Sequence, residues 1–335
     1  MRRLRPLADN LGRVKTYRHS GVAALVFLAA TLVFAACSES ATDANDALAI
    51  PGGATPVDDP FSGGYPTYDD EATGLRIVLG TPDLGVGRSR VSLALFDDVG
   101  VVSVPTLATS TRYYPDGPGG EPEDLEDTEV HFFPFPEGGR GIYVGTLNLD
   151  RAGLWAVALA VPRSDGSTAQ VVIPVTVADE TVAPAVGAAV PASESRTLAD
   201  VAEASELTTA SEPDPRLYET SIADALGRGV PFVVTFASPA FCTNALCGPQ
   251  VEVLSELADA HSDRATFIHV DLYENPRELQ GDFSLARRTP ILNEWGIHTD
   301  EWTFVVDATG TVTARFEGFA PREEVEAALL AALER

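Results

Sequence analysis

The chain has 335 residues, 45% of them hydrophobic, with 23 Lys and Arg against 49 Asp and Glu and a formal net charge of −26. That length allows two domains, each burying its own core. So acidic a surface repels phosphate backbones and anionic headgroups, which excludes nucleic-acid binding.

The one basic cluster (Arg2, Arg3, Arg5, Arg13, Lys15, Arg18) precedes the one long apolar run, Gly21 to Ala36. Sixteen residues are short for a spanning helix and right for a signal-peptide core, so residues 1–36 are expected to be a signal peptide. The run ends in Phe34-Ala35-Ala36-Cys37, which resembles a bacterial lipobox. Small residues there fit a signal peptidase, and the resemblance implies a diacylglycerol on the Cys37 thiol. Phe34 stands where the lipobox usually has Leu. The alternative is an uncleaved anchor; either reading holds the chain to a membrane and places every residue after Cys37 outside the cytoplasm. Cleavage would remove six of the 23 basic and one of the 49 acidic residues, leaving 17 against 48. In such a compartment two further cysteines, Cys242 and Cys247, can form a disulfide.

Residues 37–73, rich in Ala, Asp, Gly, Pro, Ser and Thr without apolar periodicity, read as a disordered tether. Residues 74–180 read as all-β. Seven short runs (LRIVLGT, SRVSLALFD, TLATSTRYY, EVHFFPF, GIYVGTLNL, GLWAVALAV, AQVVIPVTV) alternate or are β-branched, with turn clusters such as Asp116-Gly117-Pro118-Gly119-Gly120 and Ser164-Asp165-Gly166 between them. Seven strands at this spacing predict an Ig-like antiparallel sandwich. Tyr143 and Trp155 are expected in its core, His131 packed or at an edge, and nothing in it signals chemistry. Residues 181–215 return to Ala, Pro, Ser and Glu and read as a linker.

From 216 to 335 helical and strand patterns alternate. A short helix (SIADALGRG) precedes a buried strand from Val230 to Ala237; a cysteine-bearing loop leads to a helix near Pro249 to His261. A second strand (ATFIHVDLY), a helical stretch at Pro290 to Trp295, two strands turning at Ala308-Thr309-Gly310 and an amphipathic helix from Arg322 to Glu334 complete the order β-α-β-α-β-β-α. The last helix places Val325, Ala328, Leu329 and Leu333 on one face, with Glu323 and Glu324 in its first turn.

PFVVTFASPAFC, CGPQVEVLSELADAH, FIHVDLYENP and WTFVVDATGTVTARFEGF make residues 217–335 resemble the thioredoxin superfamily. The resemblance implies an α/β fold with reactive thiols at a helix N-terminus, exchanging disulfides with a protein partner. The fold class predicted for the whole is therefore an all-β Ig-like sandwich followed by a thioredoxin-like α/β domain. Departures from the family surround the site. The thiols are five residues apart, Cys242 following Phe241 and Cys247 opening Cys247-Gly248-Pro249-Gln250, where the family has a Cys in the place of Gln250. The buried acid of the family's first strand is replaced by Thr235, and the loop from Gly296 to Trp302 has no proline where the family carries a cis-proline facing the thiols.

In a regular helix residues five apart have Cα atoms about 8.7 Å apart, whereas a disulfide needs less than roughly 7 Å. If the thiols pair, residues 242–247 are not all helix, and the main helix starts near Pro249. A thiol at that start meets the positive end of the helix, which favours thiolate. Three functions stay open: a redox pair of Cys242 and Cys247, a structural disulfide, and a copper site of Cys242, Cys247 and His298. The last is similar to thioredoxin-like copper chaperones, which use Cys-x3-Cys. His261 and His269 are expected to be solvated. No P-loop, dinucleotide fingerprint, zinc-ligand cluster or serine triad implies any other cofactor or chemistry.

Overall fold

The computed structural model describes residues 50–58, 64–135, 140–241, 247–279 and 282–335, the side chains of Asp124 and Glu126 excepted. The expected signal peptide, Cys37 and Cys242 lie outside the described residues. Residues Thr42–Arg335 form one compact unit. It is mostly β-structure in two sheets, with few helices.

The larger sheet has ten strands: β1 (Thr55–Val57), β2 (Thr67–Asp70), β3 (Leu75–Leu79), β4 (Leu84–Gly85), β5 (Gly87–Phe96), β6 (Thr106–Tyr114), β7 (Glu123–Pro134), β8 (Gly141–Leu149), β9 (Gly153–Pro162) and β10 (Thr168–Ala178). Their hydrogen-bonded order, β1-β2-β3-β5-β8-β7-β6-β9-β10-β4, runs through all ten without a break, and β4–β10 is the parallel pair. The sheet curls until Ala54, ahead of β1, donates to the Val172 carbonyl of β10 at 2.7 Å. Period-two alternation explains its core. Val91, Leu93 and Leu95 of β5 point inward with Tyr143, Leu147, Trp155, Val157 and Leu159. Tyr143 and Trp155 are fully buried as expected, while His131 lies exposed on β7 beside Thr106.

The other face of β5 and β8 is also covered. Ile142 and Val144 join the core of the second sheet, and Ala94 packs against it. That sheet has the order β12 (Thr266–Val270), β11 (Phe232–Phe236), β13 (Trp302–Val306), β14 (Val312–Glu317), with β11–β12 parallel and the other pairs antiparallel. Its helices are α1 (Ile222–Arg228), α2 (Cys247–His261), α3 (Ile291–Glu294) and α4 (Arg322–Leu333). From β11 onward the order is the β-α-β-α-β-β-α predicted from the sequence. Ser221 caps α1 by accepting from Asp224 N, and Gly229 ends it in the left-handed conformation (φ 62°). All five residues of β11 and of β13 are buried, as strands covered on both faces must be.

The described residues of the expected disordered tether, 50–58 and 64–73, and the expected linker are ordered parts of this unit. The predicted tether 37–73 contains β1 and β2 and buries Ile50, Ala54, Tyr65 and Tyr68. Its few apolar residues are spaced too irregularly to show a period; Tyr68 also donates to the Pro174 carbonyl at 3.0 Å. The predicted linker 181–215 adds to the edge of β14, Gly187 N donating to Val312 O and Val312 N to Ala188 O. Its serines act as fixed hydrogen-bonding groups: Ser193 accepts from the Trp295 indole at 3.1 Å, and Ser195 accepts from Ile222 N at 3.0 Å.

Candidate functional site

Cys247 is the first residue of α2, two residues ahead of the predicted start, with Pro249 in the first turn, where its missing N–H costs nothing. Its side chain is fully buried. The sulfur is disulfide-bonded, and its partner is not among the described residues. The Sγ lies 3.6 Å from the carbonyl oxygen of Asp300, in the loop that enters β13. That is the loop in which the resemblance implied a cis-proline; it carries none here, and no peptide bond among the described residues is cis.

Residues Thr299 to Glu301 are held from three directions. Thr299 accepts from the Trp302 indole at 2.8 Å and donates to Glu317 of β14 at 2.7 Å. Glu317 also accepts from Asp83 N, and burial pushes its carboxyl up to about 7. Gly318 N donates to the Glu301 carbonyl at 3.0 Å, and the Tyr65 hydroxyl reaches the same oxygen at 3.4 Å. Glu301 itself is fully buried, and neither carboxyl oxygen has a hydrogen-bond partner. Desolvation, then the neighbouring Asp300, holds its carboxyl well above the usual carboxylate range.

The approach to residue 242 rests on a second network. Asp271, just past β12, accepts from the backbone N and the hydroxyl of Thr209, at 2.8 and 3.0 Å. The Thr209 hydroxyl also meets Ser238 at 3.1 Å and accepts from Ala240 N at 3.2 Å. Burial pushes Asp271 up to about 6 despite these donors. Phe241, the aromatic residue ahead of Cys242, packs against Phe283, which also meets Tyr273.

The predicted residues are distributed unevenly around this site. His298, proposed from the sequence as a copper ligand, is exposed, whereas Cys247 is buried. Among the described residues no three His, Cys, Asp or Glu side chains converge on a point, and Cys242 lies outside them. His269 is not solvated as expected. It is buried, with Tyr218 and the Ala237 carbonyl on its two ring nitrogens, and burial lowers it to about 4. His261 is partly covered and meets Glu326 at 2.7 Å. Thr235, in the place of the family's buried acid, pairs with Thr303 at 3.0 Å. Glu301, Glu317, Asp271 and Tyr65 were missed by the sequence reading. The one available signal was Asp300-Glu301 set directly against the apolar run WTFVV, where acidic residues normally mark a solvated turn.

No known family's sequence profile matches the chain, and neither does any curated relative. Among solved structures the chain is similar to a thiol:disulfide interchange protein of the thioredoxin family from Chlorobium tepidum TLS, at 16% identity and a TM-score of 0.26, over 32% of this chain and 81% of that one.

Proposed function

We propose that the chain is an exported, membrane-anchored thiol–disulfide exchange protein, with Cys37 as its lipidated residue and Cys242 and Cys247 as its redox pair. One observation carries the reading: Cys247 opens α2 and rests against the Asp300 carbonyl in the loop entering β13, on a β-α-β-α-β-β-α frame. A helix N-terminus stabilises a developing thiolate, and a facing loop gives a partner chain somewhere to lie. Cys247 has no exposure, so an incoming thiolate attacks the sulfur of Cys242, and Cys247 leaves as the displaced thiolate. The ten-stranded sheet serves as the platform that fixes the loop, through Tyr65 and Asp83.

The test is alkylation of the mature chain across a series of redox buffers, read by mass spectrometry. Cys242 and Cys247 are expected to titrate together as a two-electron couple above about −300 mV and to exchange with a dithiol partner. A potential below that value without exchange makes the disulfide structural and ends the redox reading. Copper binding lost on His298→Ala as well as on Cys242→Ser and Cys247→Ser would replace it with the metal reading. For the anchor, Cys37→Ser is expected to abolish incorporation of labelled fatty acid and release the protein from membranes; unchanged labelling would exclude Cys37 as the attachment point.

A further inference from the structure

Reducing a disulfide moves two protons as well as two electrons, and a buried sulfur cannot take its proton directly from water. Thr235, in the place of the family's buried acid, is bonded to Thr303 and has no acidic proton to give. The facing loop carries an acid next in sequence to its contact with the Cys247 sulfur. The Sγ is 3.6 Å from the Asp300 carbonyl, and the next residue along the chain is Glu301. Its carboxyl is fully buried with both oxygens unpartnered. On α2, one turn after Cys247, the buried Gln250 is similarly half-used: its Oε1 accepts from Ala320 N at 2.8 Å, and its Nε2 has no partner. The Gly318–Ala320 loop ties the two together, since Gly318 N donates to the Glu301 carbonyl. An unpartnered buried carboxyl is costly for stability alone, and such groups call for a functional explanation.

We propose that Glu301 is the proton-exchange residue of the Cys247 redox centre, donating to the sulfur when the disulfide opens. The proposal rests on the redox reading of Cys242 and Cys247. A partner thiolate attacks Cys242, the S–S bond breaks, and the bonding electron pair goes to Cys247 Sγ. Glu301 gives its proton to that sulfur and becomes a carboxylate. The partner's second thiol loses its proton, which through solvent restores Glu301, and attacks the mixed disulfide. Cys242 then leaves as thiolate and takes from solvent the proton shed by the partner's first thiol. The partner dithiol is oxidised to a disulfide, and the protein's disulfide is reduced to two thiols. The charged and titratable neighbours fit this cycle. Arg90 of β5, itself paired with Glu324 of α4, offers the transient carboxylate a cation, and burial and the neighbouring Asp300 favour the neutral acid. Tyr65, itself raised by burial and by Glu301, Glu317 and Asp300, stays a neutral phenol beside it.

The experiment is stopped-flow reduction of the oxidised mature chain by dithiothreitol across pH, with each rate divided by the fraction of reductant present as thiolate. The corrected wild-type rate is expected to fall at alkaline pH as Glu301 ionises. Glu301→Gln should lower the neutral-pH rate by about a hundredfold, the usual size of a general-acid contribution, and flatten the profile. Glu301→Asp should recover part of both. A wild-type profile with no alkaline fall, or a Glu301→Gln rate equal to wild type, overturns the proposal while leaving the redox reading intact. A folded wild-type disulfide that dithiothreitol does not reduce at all overturns the redox reading instead.

Discussion

Thr209 is a single hydroxyl in a stretch of sequence without periodicity, yet it organises the approach to Cys242. It joins Ser238, Asp271 and Ala240 N in one buried network. Replacing it with Val keeps the shape and removes the oxygen, which leaves a buried carboxyl one donor short. The expected cost is about 2 kcal/mol, read as a lower urea midpoint, and the Asp271 carboxyl should rise further above about 6 in a titration followed by NMR. An unchanged midpoint would show that water replaces the hydroxyl. Nothing local in the sequence marks this residue, because Thr-Thr in a polar run looks like any solvated loop. Its role comes from strands that return to it from 29 and 62 residues away. The cysteines were legible for the opposite reason. Their chemistry belongs to the residue type, and a proline two positions past Cys247 marks where a helix can start.

At the scale of elements, legibility followed periodicity. The runs of β11, β12 and β13 and the apolar stripe of α4 have a period that the sequence displays, and each appears within a few residues of its expected bounds. The stretches 37–73 and 181–215 have none, and composition alone read them as tether and linker; residues 50–58, 64–73 and 181–215 are held by backbone pairing and by scattered hydroxyls that no window detects. Two glycines distinguish local from long-range constraint. Gly229 and Gly296 both adopt left-handed backbone, at φ 62° and 63°. A Cβ on Gly229 would meet only the Ala308 carbonyl, at an ordinary 3.7 Å, whereas one on Gly296 would lie 2.5 Å from the Val182 carbonyl. Gly229→Ala should therefore cost only the conformational term, about 1 kcal/mol. Gly296→Ala should cost at least about 2 kcal/mol, because the 181–215 segment must also move. Equal losses in thermal unfolding would mean that this segment is not packed against α3.

The whole molecule has an unusual proton balance, and it sets how stability depends on pH. Among the described residues three buried acids bind their protons more tightly folded than unfolded. Glu317 rises from 4.5 to about 7, Asp271 from 3.8 to about 6, and Glu301 lies well above 4.5. Such a group contributes its full stabilisation below its unfolded value and loses it as pH rises toward the folded one. His269 acts in the other direction: lowered from 6.5 to about 4, it is neutral in the fold, so stability is lost as pH falls through that interval. Between pH 5 and 6 the native state thus binds more protons than the unfolded chain, three acids outweighing one histidine. Each uncompensated proton is worth about 1.4 kcal/mol per pH unit. The net charge of −26 adds repulsion that grows in the same direction as carboxyls ionise. The melting temperature is therefore expected to fall steadily from pH 5 to pH 8, unlike a fold held mainly by surface carboxylates in ion pairs. Glu301→Gln gives the sharpest check, since no hydrogen bond to either carboxyl oxygen is lost in making it. It should match the wild type near pH 5 and exceed it near pH 8, where the wild type must keep a proton against the gradient or bury a charge. A variant that melts below the wild type at both values would show that the Glu301 carboxyl is a structural requirement rather than an acid held at the expense of stability.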